Sequence, residues 1–563
     1  MEQTYLPEPG IAGRYISTSH DESGSLTGIR FQNTDGFNFA YDIVDRLAEK
    51  CPSKLAMLHI SKTGQERRIT FGDMKTYSDR TANYLSYLGI KKGDRVMLVL
   101  KRHYQFWFLM LALHKLGAVA VPASYLLTKK DFEYRFKAGK IRAVVATADG
   151  EVADEIDKAA RYNDAIKAKV LVGGTRSGWD SFNRSLRYFS ATFERPADCA
   201  GGDDPMLMYF TSGTTSYPKM ATHSYKYPLG HYVTARYWHG VDPEGLHFTI
   251  SDTGWGKAVW GKLYGQWLCE ASIFTYDYAD FYAKEILSMI QKYRITTFCA
   301  PPTVYRFLVH VDLSHYNLSS LKNVTTAGEA LNPEIFRRFL AATGLPIMEG
   351  YGQTETTLVA GSLLGSTPRP GSMGRPNPQF DVHILRPDGR DCDAEEVGEI
   401  CIRTSESLPY GLFLGYFQDP EKTQAVWHDG FYHTGDTAYV DKDGFLWYVG
   451  RVDDVIKSAG YRVGPFEIEN EIMRLPYVLE CAVTSIPDLI RGQAIKASIV
   501  LAEGTEGSDS LKKEIMKYLR NTLASYKRPK TIEFVKELPK TVSGKVRRAE
   551  IKEKDWEKKK DEK

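Results

Sequence analysis

Three short apolar runs, Arg95–Leu100 (RVMLVL), Val119–Pro122 (VAVP) and Ala143–Thr147 (AVVAT), constrain the fold more than any other feature of the chain. Each is uniformly apolar and too short for a buried helix, so each reads as a strand covered on both faces. Stretches with helical spacing, such as Phe71–Leu88, alternate with such runs, and a chain of that rhythm builds a largely parallel sheet flanked by helices. A loop-like segment, Ala200–Pro205 (AGGDDP), closes this block, and a second α/β block follows. From about Pro376 to Gly450 the texture turns to short strands and tight turns, with Asp-Gly pairs at 388–389, 429–430 and 443–444.

Beyond the charged turn Arg451–Asp454 the pattern is a helix at Pro465–Leu475, strands at Leu479–Ile486 and Lys496–Leu501, a helix at Ser508–Leu523 and a strand at Thr531–Phe534. That is enough to fold as a small α+β domain. The expected fold class is therefore α/β. A large region of several subdomains, residues 1–452, carries parallel-rich sheets and a β-rich subdomain, and a small α+β domain spans 453–563.

Composition narrows the function. With 73 Lys and Arg against 70 Asp and Glu there is no concentrated basic face, which argues against a nucleic-acid partner. The seven cysteines, at 51, 199, 269, 299, 392, 401 and 481, show no metal-ligand spacing; scattered thiols in a large chain point to a reducing, cytoplasmic setting. Met1–Ser25 lacks an apolar signal core, and the most apolar stretch, Phe106–Val121, is interrupted by His114 and Lys115 and too short to span a bilayer. Lys552–Lys563 alternates acids and bases and reads as a solvated tail.

The chemistry is announced by Tyr209-Phe210-Thr211-Ser212-Gly213-Thr214-Thr215-Ser216-Tyr217-Pro218-Lys219. An apolar strand runs into hydroxyl residues and a glycine, then a lysine. Backbone N–H groups and hydroxyls in such a loop cradle phosphate oxygens, and the lysine adds positive charge. Alone, such a loop reads more readily as an ordinary turn, and it does not match the Walker pattern. It is followed by Gly350-Tyr351-Gly352-Gln353-Thr354-Glu355, Tyr432-His433-Thr434-Gly435-Asp436, Gly450-Arg451-Val452-Asp453-Asp454, Gly460-Tyr461-Arg462 and Pro539-Lys540-Thr541-Val542-Ser543-Gly544-Lys545.

In this order and spacing the motifs resemble those of the adenylate-forming superfamily of acyl-CoA synthetases, peptide-synthetase adenylation domains and luciferases, over essentially the whole chain and nearest to the medium-chain acyl-CoA synthetases. The resemblance implies ATP, Mg²⁺ and coenzyme A as cofactor and co-substrates. The Thr211–Lys219 loop, including Ser212, Gly213, Thr214 and Thr215, would close over the β- and γ-phosphates, with Ser216 standing where the family usually has glycine. Gly328-Glu329-Ala330 and Glu349–Thr354 would line the adenine and α-phosphate, with Arg462 also at the nucleotide. Glu355 would ligate Mg²⁺, a hard carboxylate for a hard cation. Asp436 would take the ribose hydroxyls beside Arg451, and Lys545 would be the catalytic lysine of adenylation, with Lys219 and Glu355 also catalytic. The C-terminal domain would swing about Asp453, bringing Ala459, Gly460 and Tyr461 to the thiol of coenzyme A, whose phosphates Arg491, Arg520 or Lys527 would meet.

The acyl pocket is assigned through the same resemblance to Trp238, Lys257, Trp260, Cys299, Gly328 and Gly352. Acetate-specific relatives carry a tryptophan pair before Gln-Thr-Glu where this chain has Tyr351-Gly352, so Gly352 is expected to leave room, while two indoles shorten the tunnel toward short or medium, straight or branched acids. Lys257 is expected to snorkel to solvent. The partners implied are a small carboxylic acid, ATP and coenzyme A, with self-association open. Alternatives are delivery of the acyl group to a carrier protein or other nucleophile, or a nucleotide-binding protein with a decayed site. Retention of Lys219, Glu355, Asp436, Arg451 and Lys545 together argues against the last.

Overall fold

The computed structural model describes residues 4–161, 163–211, 217–458, 461–488, 492–540 and 545–561. Arg95–Val99 lies between Val119–Pro122 and Ile141–Thr147, all parallel, at the heart of an eight-stranded sheet. Val96, Met97, Leu98, Val99, Val121 and Val144 have no exposed surface, which is why these runs carry no alternation. The hairpin Pro205–Thr211 and Lys219–Ser224 adds to the same sheet, placing Thr211 opposite Lys219 at its open end.

The second sheet has nine strands. Its core is Ile347–Tyr351, Asn323–Ala327, Thr297–Cys299, Leu246–Thr249, Ser272–Tyr276 and Leu55–Ile60, all parallel. Tyr351, Ala327, Cys299 and Thr249 therefore end side by side. Helix Phe71–Tyr87 is opened by a capping box: Thr70 Oγ1 accepts from Asp73 N, and Asp73 accepts from Thr70 N. It packs Met74, Ala82 and Leu85 into the core beside helix Gln105–Leu116. The one lysine in that second helix, Lys115, is buried and reaches Asp45 at 2.7 Å and Asp79 at 2.6 Å, so its charge is matched twice.

Residues 382–451 form an antiparallel sheet of five strands, as the turn-rich texture implies. A last sheet collects Ile456–Ser458, Tyr461–Val463, Val478–Asp488, Gly492–Leu501 and Thr531–Phe534, covered by helices Pro465–Ile472 and Asp509–Thr522. One expectation fails here. As far as Asp561 the segment read as Lys552–Lys563 is not a solvated tail: Arg548–Asp561 is a helix, pinned where Trp556 Nε1 donates to the Ser485 carbonyl and Asp555 pairs with Lys496 at 2.7 Å. Among the described residues no helix is long and apolar enough to cross a membrane, and all seven cysteines are free thiols.

Candidate active site

A cavity of about 2250 Å³ opens where the two large sheets, the β-rich sheet and the C-terminal segment meet. It lies at the carboxyl ends of the parallel strands, where open α/β sheets bind their ligands. Strand ends and the turns after them supply its wall: Thr211 and Lys219 from the hairpin, Gly328-Glu329-Ala330 after Ala327, and Glu349 to Glu355 from the next strand. Thr434, Gly435, Asp436 and Arg451 come from the β-rich sheet, and Asp453 and Lys545 from beyond it.

Asp436 is the most elaborately held of these. It is 5 % exposed; Tyr351 Oη donates to its Oδ2 at 2.6 Å and Gln353 Nε2 at 2.5 Å, while Arg451 Nη1 stands 3.4 Å from Oδ1. Gln353 is fixed in turn, donating to the Thr434 carbonyl and accepting from Tyr432 Oη. The carboxylate thus meets the cavity with its orientation set by two motifs at once, and its charge balanced by Arg451.

Glu355 accepts a hydrogen bond from Tyr416 Oη at 2.9 Å, and the ammonium of Lys219 sits 4.9 Å from the centre of the Tyr416 ring. Burial raises the Glu355 carboxyl above its ordinary range, with Tyr416, Lys219 and Arg451 opposing. A carboxylate held this way, with hydroxyl and cation nearby, is a suitable hard-oxygen donor for Mg²⁺. Glu349 behaves differently from its neighbours. Its side chain turns into the protein, accepting from Leu331 N at 3.1 Å and Gly371 N at 3.0 Å, and burial pushes its pKa up to about 8. It ties the Gly328–Leu331 loop to the strand behind it, so only its backbone side borders the nucleotide space.

Lys545 enters from the C-terminal segment. Beside it, Lys540 and Val546 are joined by a bridge and Arg547 N donates to the Pro539 carbonyl. It is exposed, lines the cavity, and lies within electrostatic reach of Lys257. The same segment touches the body where Arg306 Nη1 donates to the Leu479 carbonyl at 3.2 Å and where Phe466 meets Tyr448 edge to face.

At the acyl end two expectations change. Gly352 does not leave an open space: a Cβ there would stand 2.4 Å from both the Trp260 ring and the Thr357 carbonyl. The glycine admits the indole, and the indole is the filling. Lys257 does not snorkel: its Nζ donates to the Ala327 carbonyl at 2.6 Å, because helix Gly256–Lys262 points it at the strand ends rather than outward. Trp238 is fully buried under the same strand, its Nε1 donating to the carbonyls of Met348 and Glu349, and Cys299 is buried beside them. Lys527 pairs with Glu467 at 2.6 Å. Ser212, Gly213, Thr214, Thr215, Ser216, Ala459, Gly460 and Arg491, and the side chains of Tyr461 and Arg462, lie outside the described residues.

The motif reading passed over Tyr416, Tyr448 and Trp255, all of which line the cavity. Tyr416 carries a signal only in retrospect, a Gly-Tyr pair after an apolar run, and Trp255 stands two residues before Lys257.

Comparison with known proteins places this geometry. The model of the AMP-binding enzyme family matches residues 44–417, and that of the AMP-binding enzyme C-terminal domain matches 467–545. The chain belongs to the AMP-binding enzyme family. Among its family relatives is the human protein called acyl-coenzyme A synthetase ACSM3, mitochondrial, 39% identical over 530 residues and covering 92% of this chain and 90% of its own. The rat protein called acyl-coenzyme A synthetase ACSM4, mitochondrial, is 40% identical, with 92% and 91% covered. A crystal structure of the anthranilate CoA ligase AuaEII with anthranoyl-AMP superposes with a TM-score of 0.85 at 28% identity, covering 93% of this chain and 98% of its own.

Proposed function

We propose that the enzyme activates a short-to-medium-chain carboxylic acid, straight or branched, as acyl-AMP with release of pyrophosphate, and then transfers the acyl group to coenzyme A. One observation carries this: Lys219, Glu355, Asp436 and, from a separate segment, Lys545 border a single cavity at the strand ends. Attack of a carboxylate on the α-phosphorus of ATP brings two anions together, so cations must stand where negative charge grows. In our reading Lys545 stands at the attacking carboxylate and α-phosphate, and Lys219 and the Thr211–Thr215 loop at the outer phosphates. Asp436, already oriented by Tyr351 and Gln353, accepts from the ribose hydroxyls. Glu355 would hold Mg²⁺, which when bound neutralises phosphate charge.

For the second step we place a domain boundary at 452/453, with Asp453 as the hinge and residues 459–461 and Arg491 as the coenzyme A side. A glycine at 460 leaves passage for a pantetheine thiol. A cytoplasmic location follows from the scattered free thiols, although the relatives above are named mitochondrial; fractionation decides it, and light scattering decides self-association. The test of function is pyrophosphate and AMP release across straight, branched and aromatic acids of two to twelve carbons, with and without coenzyme A. Release of ADP instead would overturn the reading, and turnover independent of coenzyme A would favour a carrier protein or another nucleophile as acceptor.

A further inference from the structure

The acyl side of the site contains a cation that the adenylation chemistry does not use. Lys257 leads helix Gly256–Lys262, one turn before Trp260, so both residues face the strand ends. Trp260 closes over Gly352, and Lys257 reaches the end of the neighbouring strand, where Nζ donates to the Ala327 carbonyl at 2.6 Å. An ammonium has three donors, and this bond uses one. Among the described residues no carboxylate forms an ion pair with it; Glu329 acts on it only from a distance, and Lys545 repels it. Burial accordingly holds its pKa below the ordinary lysine range. Two other deeply buried lysines are held away from the cavity wall: Lys115 pairs with two aspartates, and Lys262, on the same helix as Lys257, donates to the Ser251 carbonyl.

Nζ is also within reach of the cavity. Gly328, a lining residue with φ of +103°, would direct a Cβ to a point 4.0 Å from Lys257 Nζ and within 4 Å of no other heavy atom. Trp255, two residues before Lys257, lines the same cavity. A side chain at 328 would fill this space, which lies between the cavity wall at Gly328 and Lys257 Nζ just behind it.

Resting on the acid-activating reading above, we propose that Lys257 is a specificity residue that hydrogen-bonds an acceptor oxygen carried on the acyl chain near the carboxylate. The preferred substrates are then oxygen-bearing short acids, oxo or hydroxy, rather than plain aliphatic ones. The argument is one of satisfaction: an ammonium with donors to spare beside the acyl space favours a ligand that carries an acceptor there over a plain chain that carries none.

The experiment compares wild type with Lys257→Met, using butanoate, 2-oxobutanoate and 3-hydroxybutanoate in a pyrophosphate-release assay. The expected result is a fall of at least about tenfold in the ratio of kcat/KM for one or both oxygenated acids to kcat/KM for butanoate. The thermal midpoint of the variant, compared with wild type, reports that it is folded. An equal loss for all three acids would overturn the proposal, as would a wild type that uses butanoate and neither oxygenated acid. No pyrophosphate from wild type with any acid would instead sink the function proposed above, a distinguishable result.

Discussion

Gly352 and Trp260 show how one residue's meaning depends on another. From the sequence, a glycine where relatives carry tryptophan reads as space; in the structure an indole from a different element occupies it. Nothing in the one-dimensional pattern says which way Trp260 turns, since a tryptophan one turn into a short helix reads equally as core. Truncating it is expected to open the pocket: Trp260→Ala should move the acid preference toward longer chains, read as kcat/KM along an acid series, while costing about 3–5 kcal/mol of stability in urea unfolding. Glu349 offers a second test. The motif marked it as lining the nucleotide, but two backbone N–H groups had claimed its side chain. Its folded pKa, about 8, is above the usual glutamate value, so the buried group favours the fold below that usual value and costs stability as pH rises through about 8. Relative to wild type, Glu349→Gln should therefore gain in urea midpoint as pH is raised across that range. A difference that does not vary with pH would count against the buried-acid assignment.

At the level of elements, the fully buried strands were legible because two covered faces leave no alternation, and Val119–Pro122 matches the structure residue for residue. Helix ends were nearly as clear where capping chemistry marks them, as at Thr70. The C-terminal helix was not, because Trp556 is a lone aromatic in a run of charges and its partner, the Ser485 carbonyl, is remote in sequence. Lys545 is the residue of the C-terminal segment to which we assign the adenylation step. Lys545→Ala is expected to abolish acid-dependent ATP–pyrophosphate exchange while leaving the reaction of a supplied acyl-adenylate with coenzyme A intact. Loss of both half-reactions would remove the lysine from its assigned role. The hairpin Tyr351–Gln353 and the strand bearing Asp436 act as a unit, so Asp436→Ala should raise the KM for ATP by tenfold or more and also lower stability by about 1–3 kcal/mol, since it strands the Tyr351 and Gln353 donors.

Across the whole molecule the histidines are unevenly placed. His59, His114, His223 and His247 are buried in the large region, and burial holds their pKa values down at about 4, 3, 4 and 3. Beyond His433 the chain has none. A histidine kept neutral by burial contributes stability that is present above about pH 6.5 and is lost as pH falls through its depressed folded value. Acidification toward pH 4 should consequently unfold the large sheets first, and hydrogen exchange is expected to show protection there lost before protection in the strands Val478–Asp488 and Gly492–Leu501.

The cavity, finally, is walled by both of these unequal parts, with Lys545 on one side and Asp436 on the other. A nucleotide lodged there is also a fastener. Empty, the molecule can melt in two steps, each part at its own temperature; loaded, whatever the ligand contributes is forfeited when either part opens, so the two transitions are drawn together and upward. The calorimetric trace of this enzyme is thereby a gauge of how far its two walls share one ligand.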